Sequence, residues 1–230
     1  MQLIIYKKRR CIYIYTHVFF DLDGTLTDPW EGITKSLQYG LGKVGITIGD
    51  EKELISFIGP PLQDSLRDNY NLGEDDIKTV MFYFRERYSV KGIYENILFD
   101  GTEEMLKMLM GQGRGIYLAT SKPEQYAREI LRHFDIEKYF NGVYGATMDE
   151  SLVEKVDILN SALTKENINS ANAIMVGDRI HDISGAEKVG MNSIFLALGY
   201  ANEQEAEVLG KMATYTASNM QELCNLFLNI

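Results

Sequence analysis

The stretch His17-Val18-Phe19-Phe20-Asp21-Leu22-Asp23-Gly24-Thr25-Leu26-Thr27 decides the fold. An apolar strand runs straight into two carboxylates, Asp21 and Asp23, with Leu22 between them. Side chains of an extended chain alternate faces, so both carboxylates are expected on one side while Leu22 turns into the core. Gly24 lets the backbone leave the strand sharply. An acidic pair at the carboxyl end of a strand is where open α/β sheets build sites. The bland alternative is an acidic turn.

Outward from this stretch the pattern changes from strand to helix. Asp28-Pro29-Trp30-Glu31 supplies an N-cap, a proline at the first helical position and a Glu at the third. Ile33, Leu37, Leu41 and Val44 recur at helical spacing until Gly45 stops the run. Further helices are expected at 50–57, 61–70 and 74–89, the last with Ile77, Val80, Met81, Phe84 and Tyr88 on one face. Gly59-Pro60-Pro61-Leu62 forms a stiff turn between them. Nothing from 29 to 95 reads as a core strand.

From residue 96 strands and helices alternate, the signature of a parallel sheet with crossover helices. Strands are expected near 115–119, 142–146, 172–176, 193–197 and 212–216. Helices fill 102–111, 123–134, 152–164, 182–189, 203–209 and 219–228. The expected architecture is an α/β core, 15–28 and 96–230, with an all-helical cap, 29–95, inserted after the acidic pair. Residues 1–14 form an appendage, read as an extra edge strand.

Bulk properties narrow the function. The chain has 230 residues, enough for a substantial core. Its net charge of −10 opposes binding to a nucleic acid polymer, which needs Lys and Arg to neutralise phosphates. Cys11 and Cys224 stand at opposite ends and form no ligand or redox spacing, so a reducing cytoplasm is the expected location. No segment approaches the roughly 20 apolar residues that cross a bilayer. Lys7-Lys8-Arg9-Arg10 before Cys11-Ile12-Tyr13-Ile14-Tyr15 superficially resembles a leader. Its apolar part is short, lacks a small-residue cleavage site and runs into the first strand.

Three further strand ends fall along the same sheet edge. Gly115–Ala119 leads into Thr120-Ser121-Lys122, whose hydroxyls, with the helix opening at Pro123, make an anion site; Ser and Thr also cap helices everywhere. Lys155 starts the next helix, a position where a lysine is usually solvated. Ala173–Val176 leads into Gly177-Asp178-Arg179-Ile180-His181-Asp182, a second acidic pair. With Asp21 and Asp23 that makes four carboxylates in one crevice. Two such charges about 4 Å apart repel by roughly 4 kcal/mol at an effective dielectric near 20. A hard divalent cation resolves the repulsion, and Mg²⁺ suits few protein ligands plus several waters. His181 reads as a solvated helix position rather than a ligand.

Asp21-Leu22-Asp23-Gly24-Thr25-Leu26-Thr27, Thr120, Lys155 and Gly177-Asp178 with Asp182 resemble the four ordered motifs of the haloacid dehalogenase superfamily of phosphohydrolases. The helical insertion, Gly59-Pro60-Pro61-Leu62 and Lys91-Gly92-Ile93-Tyr94 resemble its phosphoglycolate phosphatase branch with a small helical cap. The resemblance implies a Rossmann-like sheet core and a Mg²⁺-dependent phosphatase for a small phosphorylated metabolite, as a monomer or homodimer. It implies Asp21 as nucleophile, forming an aspartyl-phosphate, and Asp23 as acid and then base. It implies a metal held by the Asp21 carboxylate, the Asp23 carbonyl and Asp178, with Asp182 ligating directly or through water. Thr120, Lys155 and Ser121 would bind phosphate, and Arg179 is a weaker candidate. Gly59, Pro60, Pro61 and Leu62 would set specificity from the cap, with Arg67 within reach.

The substrate stays open among phosphoglycolate, a nucleoside monophosphate, a sugar phosphate and pyrophosphate. A phosphomutase would share every core motif. A dehalogenase needs no acid at Asp23, and a phosphonate-cleaving enzyme needs a cap lysine that nothing singles out between Lys35 and Lys43. A receiver domain would lack the insertion, and an idle binding module would be expected to have lost one of the four motifs.

Overall fold

The computed structural model describes residues 15–149 and 151–230; the expected appendage at 1–14 lies outside them. Strand β1, His17–Phe20, ends one residue before Asp21. Val18, Phe19 and Phe20 are all fully buried. A strand covered on both faces needs this unbroken apolar run rather than alternation.

The chain then makes a short strand β2, Thr27–Asp28, and enters helices only: α1, Trp30–Lys43; a 3₁₀ stretch, Glu51–Phe57; α2, Leu62–Tyr70; α3, Glu74–Val90; and a 3₁₀ turn, Gly92–Tyr94. Asp28 accepts from Trp30 N at 3.0 Å, although Pro29 rather than Asp28 stands at the cap position. Glu31 pairs with Lys35 instead of closing a capping box. The chain returns through β3, Ile97–Leu98, which pairs antiparallel with β2, Thr27 opposite Leu98 and Asp28 opposite Ile97. The two linkers of the insertion therefore form a two-stranded ribbon, which the sequence pattern did not reveal.

The core continues as α4, Thr102–Gly111; β4, Gly115–Pro123; α5, Glu124–His133; β5, Gly142–Ala146; α6, Lys155–Glu166; β6, Ala173–Gly177; α7, Ile180–Lys188; β7, Asn192–Leu196; α8, Glu203–Met212; β8, Tyr215–Ala217; and α9, Met220–Phe227. The sheet order is β5-β4-β1-β6-β7-β8, all parallel. Successive strands thus run outward one way from β1 and then the other. That is the doubly wound order, whose switch point lies beside β1. Phe20, Leu106, Ile130 and Leu223 pack on one face of the sheet. Phe19, Met175, Leu159 and Ala186 pack on the other. Both faces are covered by helices, so the strand ends are left as the open crevice.

Candidate active site

Asp21 follows β1 and Asp178 follows β6, two strands adjacent in the sheet. Asp182 stands in the first turn of α7, where its carboxylate accepts from the Arg179 backbone N–H at 3.1 Å. This capping contact turns the side chain back toward the β6 end. Carboxylate oxygens of Asp21, Asp178 and Asp182 lie within 4.8 Å of one another, and all three residues are buried. Gly24 makes the approach possible: its φ is +81°, and a Cβ there would sit 2.4 Å from Asp178 Oδ2.

Lys155, at the first position of α6, is 4% exposed, so it is no solvated surface lysine. Its Nζ lies 2.9 Å from Asp21 Oδ1 and 2.8 Å from Asp182 Oδ1, and donates to the Ala119 carbonyl at 2.8 Å. Asp178 accepts from Thr25 Oγ1 at 3.2 Å and from Tyr200 N at 2.8 Å. Two of the three buried carboxylates, Asp21 and Asp182, therefore share one ammonium group, and Asp178 beside them meets neutral donors. Burial, reinforced by Asp182 and Asp21, pushes the Asp178 carboxyl well above its usual range. Burial also pushes Asp182 up to about 6, with Lys155 pulling the other way. Buried charge left uncompensated in this way fits a divalent cation bound by hard oxygen donors.

The Asp23 carboxylate is not part of this close group of three and has its own cation. Because β1 ends at Phe20, strand alternation governs neither Asp21 nor Asp23. Asp23 Oδ2 instead lies 2.5 Å from Lys122 Nζ, with the two side chains 9% and 6% exposed. Burial raises the Asp23 pKa and Lys122 opposes the rise. Among the described residues Asp23 Oδ1 meets no hydrogen-bond partner. Lys122 escaped the sequence reading, where Thr120-Ser121-Lys122 was taken for its hydroxyls. The pairing of β4 with β5 slips between Thr120 and Pro123, so Ser121 and Lys122 bulge from the ladder. Thr120 is buried, and its Oγ1 accepts from Lys122 N at 3.2 Å.

A cavity of about 190 Å³ lies between the helical insertion and the core, lined by Asp23, Ser121 and Lys122 below and by Gly59, Pro60, Pro61 and Leu62 on the insertion side. Phe57, Met81, Phe84, Tyr88 and Tyr126 supply apolar and aromatic wall, and Arg85 a polar one. Tyr88 and Tyr126 meet edge to face across the junction, ring centroids 5.6 Å apart. Arg67 does not reach this cavity; it is exposed and paired with Asp64 and Glu74. Lys35 pairs with Glu31, and Lys43 lies over the Tyr39 and Tyr83 rings, so neither lines the cavity. Arg179 binds both sides of the junction: Nη1 donates to the Ile58 carbonyl and Nε lies 3.1 Å from Glu205 Oε1. His181 is half-buried, contrary to the solvated position expected, and is absent from the carboxylate group.

Comparison with known proteins agrees with this geometry. The haloacid dehalogenase-like hydrolase pattern matches residues 18–196, and the chain belongs to that family. It is 41% identical to a 5'-nucleotidase of Pseudomonas aeruginosa over 83% of this chain and 86% of that one. It is 37% identical to the tyrosine-protein kinase PtkA of Mycobacterium tuberculosis over 90% of this chain and 70% of that one. The crystal structure of a predicted phosphatase from Clostridium acetobutylicum superposes with a TM-score of 0.90 at 39% identity, covering 94% of this chain and all of that one. The protein is a phosphatase of the haloacid dehalogenase type with an α/β core and a helical insertion. No helix among the described residues is long and apolar enough to cross a membrane.

Proposed function

We propose that the protein hydrolyses a phosphate monoester whose leaving group carries a planar aromatic ring, with a nucleoside monophosphate as the best-fitting class. The observation that carries this reading is the aromatic wall of Phe57, Phe84, Tyr88 and Tyr126 in the same cavity as Asp23. Ring faces bury a flat heterocycle well and offer nothing to a small carboxylate such as glycolate. The likeness to a 5'-nucleotidase supports the same class. Pyrophosphate would need several cations around its leaving group, and Arg85 and Lys122 are the basic residues lining this cavity.

In the proposed chemistry a carboxylate oxygen of Asp21 attacks phosphorus and the ester P–O bond breaks. Asp23 gives its proton to the departing oxygen, leaving an aspartyl-phosphate on Asp21. Asp23, now a carboxylate, takes a proton from water as the water oxygen bonds to phosphorus and the Asp21–phosphorus bond breaks. Thr120, Ser121 and Lys155 hold the phosphoryl oxygens, and Lys155 offsets the charge on Asp21. Asp21, Asp178 and Asp182, with the Asp23 carbonyl, would hold Mg²⁺, which supplies positive charge to the phosphoryl group when bound. Elements 29–95 act as a cap that excludes water from the reacting phosphoryl group.

Purified protein with Mg²⁺ should be screened against nucleoside monophosphates, phosphoglycolate, sugar phosphates and pyrophosphate. We expect kcat/KM to be highest for a nucleoside monophosphate. A preference for phosphoglycolate or pyrophosphate would overturn the leaving-group assignment. Conversion of a sugar phosphate to its isomer without release of phosphate would identify a mutase instead.

A further inference from the structure

Lys122 is a buried cation outside the carboxylate group that Lys155 serves. The bulge at Ser121–Lys122 takes it out of the β4 ladder, and its Nζ meets Asp23 Oδ2. The same ammonium lies 5.1 Å from the centroid of the Tyr88 ring, which α3 brings down from the helical insertion. Asp23 Oδ1 is buried with no partner, while Asp23 and Lys122 both line the cavity. A buried ion pair is seldom the best way to stabilise a core, because apolar side chains of similar volume do as well or better. One oxygen of this carboxylate is held by Lys122, and the other is left bare.

We propose that Lys122 is a positioning residue that fixes which oxygen of Asp23 handles the proton: by holding Oδ2, it reserves Oδ1 for the leaving-group oxygen. This rests on the phosphatase reading above. In the first step the proton on Oδ1 passes to the bridging oxygen as the ester P–O bond breaks and the Asp21–phosphorus bond forms. In the second step Oδ1 receives a proton from the attacking water. An unheld carboxyl group turns about its Cβ–Cγ bond and offers either oxygen, so the productive geometry is met less often. The Tyr88 ring ties this arrangement to the seated position of the insertion.

Leaving-group dependence tests the assignment. An alkyl phosphate needs a proton on its departing oxygen, whereas p-nitrophenolate departs without one. Lys122→Met should lower kcat/KM for the alkyl ester by about 10²-fold, the usual worth of a positioned acid. It should leave p-nitrophenyl phosphate within a few-fold of wild type. Equal losses on both esters would show that Lys122 supports binding or folding alone, and the inference fails. Because Lys122→Met strands a buried carboxylate, Lys122→Met/Asp23→Asn, which removes both members of the pair, is the second arm. On the Asp23→Asn background Lys122→Met should change neither ester further. An added loss on the alkyl ester there means that Lys122 acts independently of Asp23, which also overturns the proposal. If wild type releases phosphate from neither ester, the phosphatase reading itself fails and takes this inference with it.

Discussion

Asp21 and Asp23 stand two residues apart and meet different cations. Asp21 pairs with Lys155 beside Asp178 and Asp182, and Asp23 pairs with Lys122 beside the cavity. The separation suits two roles that require different charge states. Asp21→Asn is expected to abolish phosphate release, because it removes the proposed nucleophile. Asp23→Asn should cost at least about 10²-fold in kcat with an alkyl ester. Near-normal turnover by Asp21→Asn would rule out the covalent route. Lys155→Ala leaves Asp21 and Asp182 buried without their shared ammonium, and it should destabilise the metal-free fold by about 3–5 kcal/mol. Denaturant unfolding in EDTA reads this directly, and a loss below about 1 kcal/mol would mean that water reaches the cluster.

At the scale of elements, the junction between the insertion and the core depends on the turn that starts at Gly59. Gly59 has a φ of +105°, and a Cβ there would meet Arg179 Cγ at 2.9 Å. Arg179 is held in place by Glu205 and by the Ile58 carbonyl, so it cannot simply move aside. Gly59→Ala is therefore expected to cost about 1–3 kcal/mol through backbone strain and to loosen the insertion against the core. We expect its kcat/KM to fall more for a nucleoside monophosphate than for acetyl phosphate, whose small leaving group never reaches the cavity wall. Equal losses would show that this turn takes no part in selecting the leaving group. The β2–β3 ribbon is the element across which such motion would turn, since both linkers pass through it.

For the whole molecule, the three-carboxylate cluster, which could hold a metal ion, is expected to couple metal, proton and stability. In the metal-free protein burial holds Asp178 well above the usual carboxylate range and Asp182 near about 6. Both groups then bind more protons folded than unfolded between roughly pH 3.9 and their folded values. Their contribution to stability is complete below that window and is lost as pH rises through the folded values, about 6 for Asp182. Mg²⁺ needs the carboxylates ionised, so its stabilisation should grow over the same interval. At about 100 times the dissociation constant it should add about 2.7 kcal/mol, or about 5–11 °C in Tm for a chain of this size. Thermal melts at pH 5 and pH 7.5 with and without Mg²⁺ check both claims. Asp178→Asn should abolish the Mg²⁺ increment, and EDTA should abolish turnover. A Mg²⁺ shift that is the same at both pH values would place the metal elsewhere.

The sequence by itself determined the sheet and its chemistry. Runs such as Val18-Phe19-Phe20 and Ala173–Val176 are apolar without alternation, which only a strand buried on both faces tolerates. The carboxylates and Lys155 sit at local strand-to-helix junctions whose spacing is visible along the chain. Tertiary structure alone decided how these groups divide. Asp21 met Lys155, whereas Asp23 met Lys122, which the bulge in β4 where it pairs with β5 takes out of the ladder. Tyr200 reached Asp178 and Asp28 from a loop more than 170 residues beyond Asp28. Arg67, expected within reach of the site from the cap, turned outward to Asp64 and Glu74. Periodicity records which face of one element is buried. It carries no information on where a bulge falls or which distant cation meets a buried carboxylate, because both follow from packing between elements far apart in sequence.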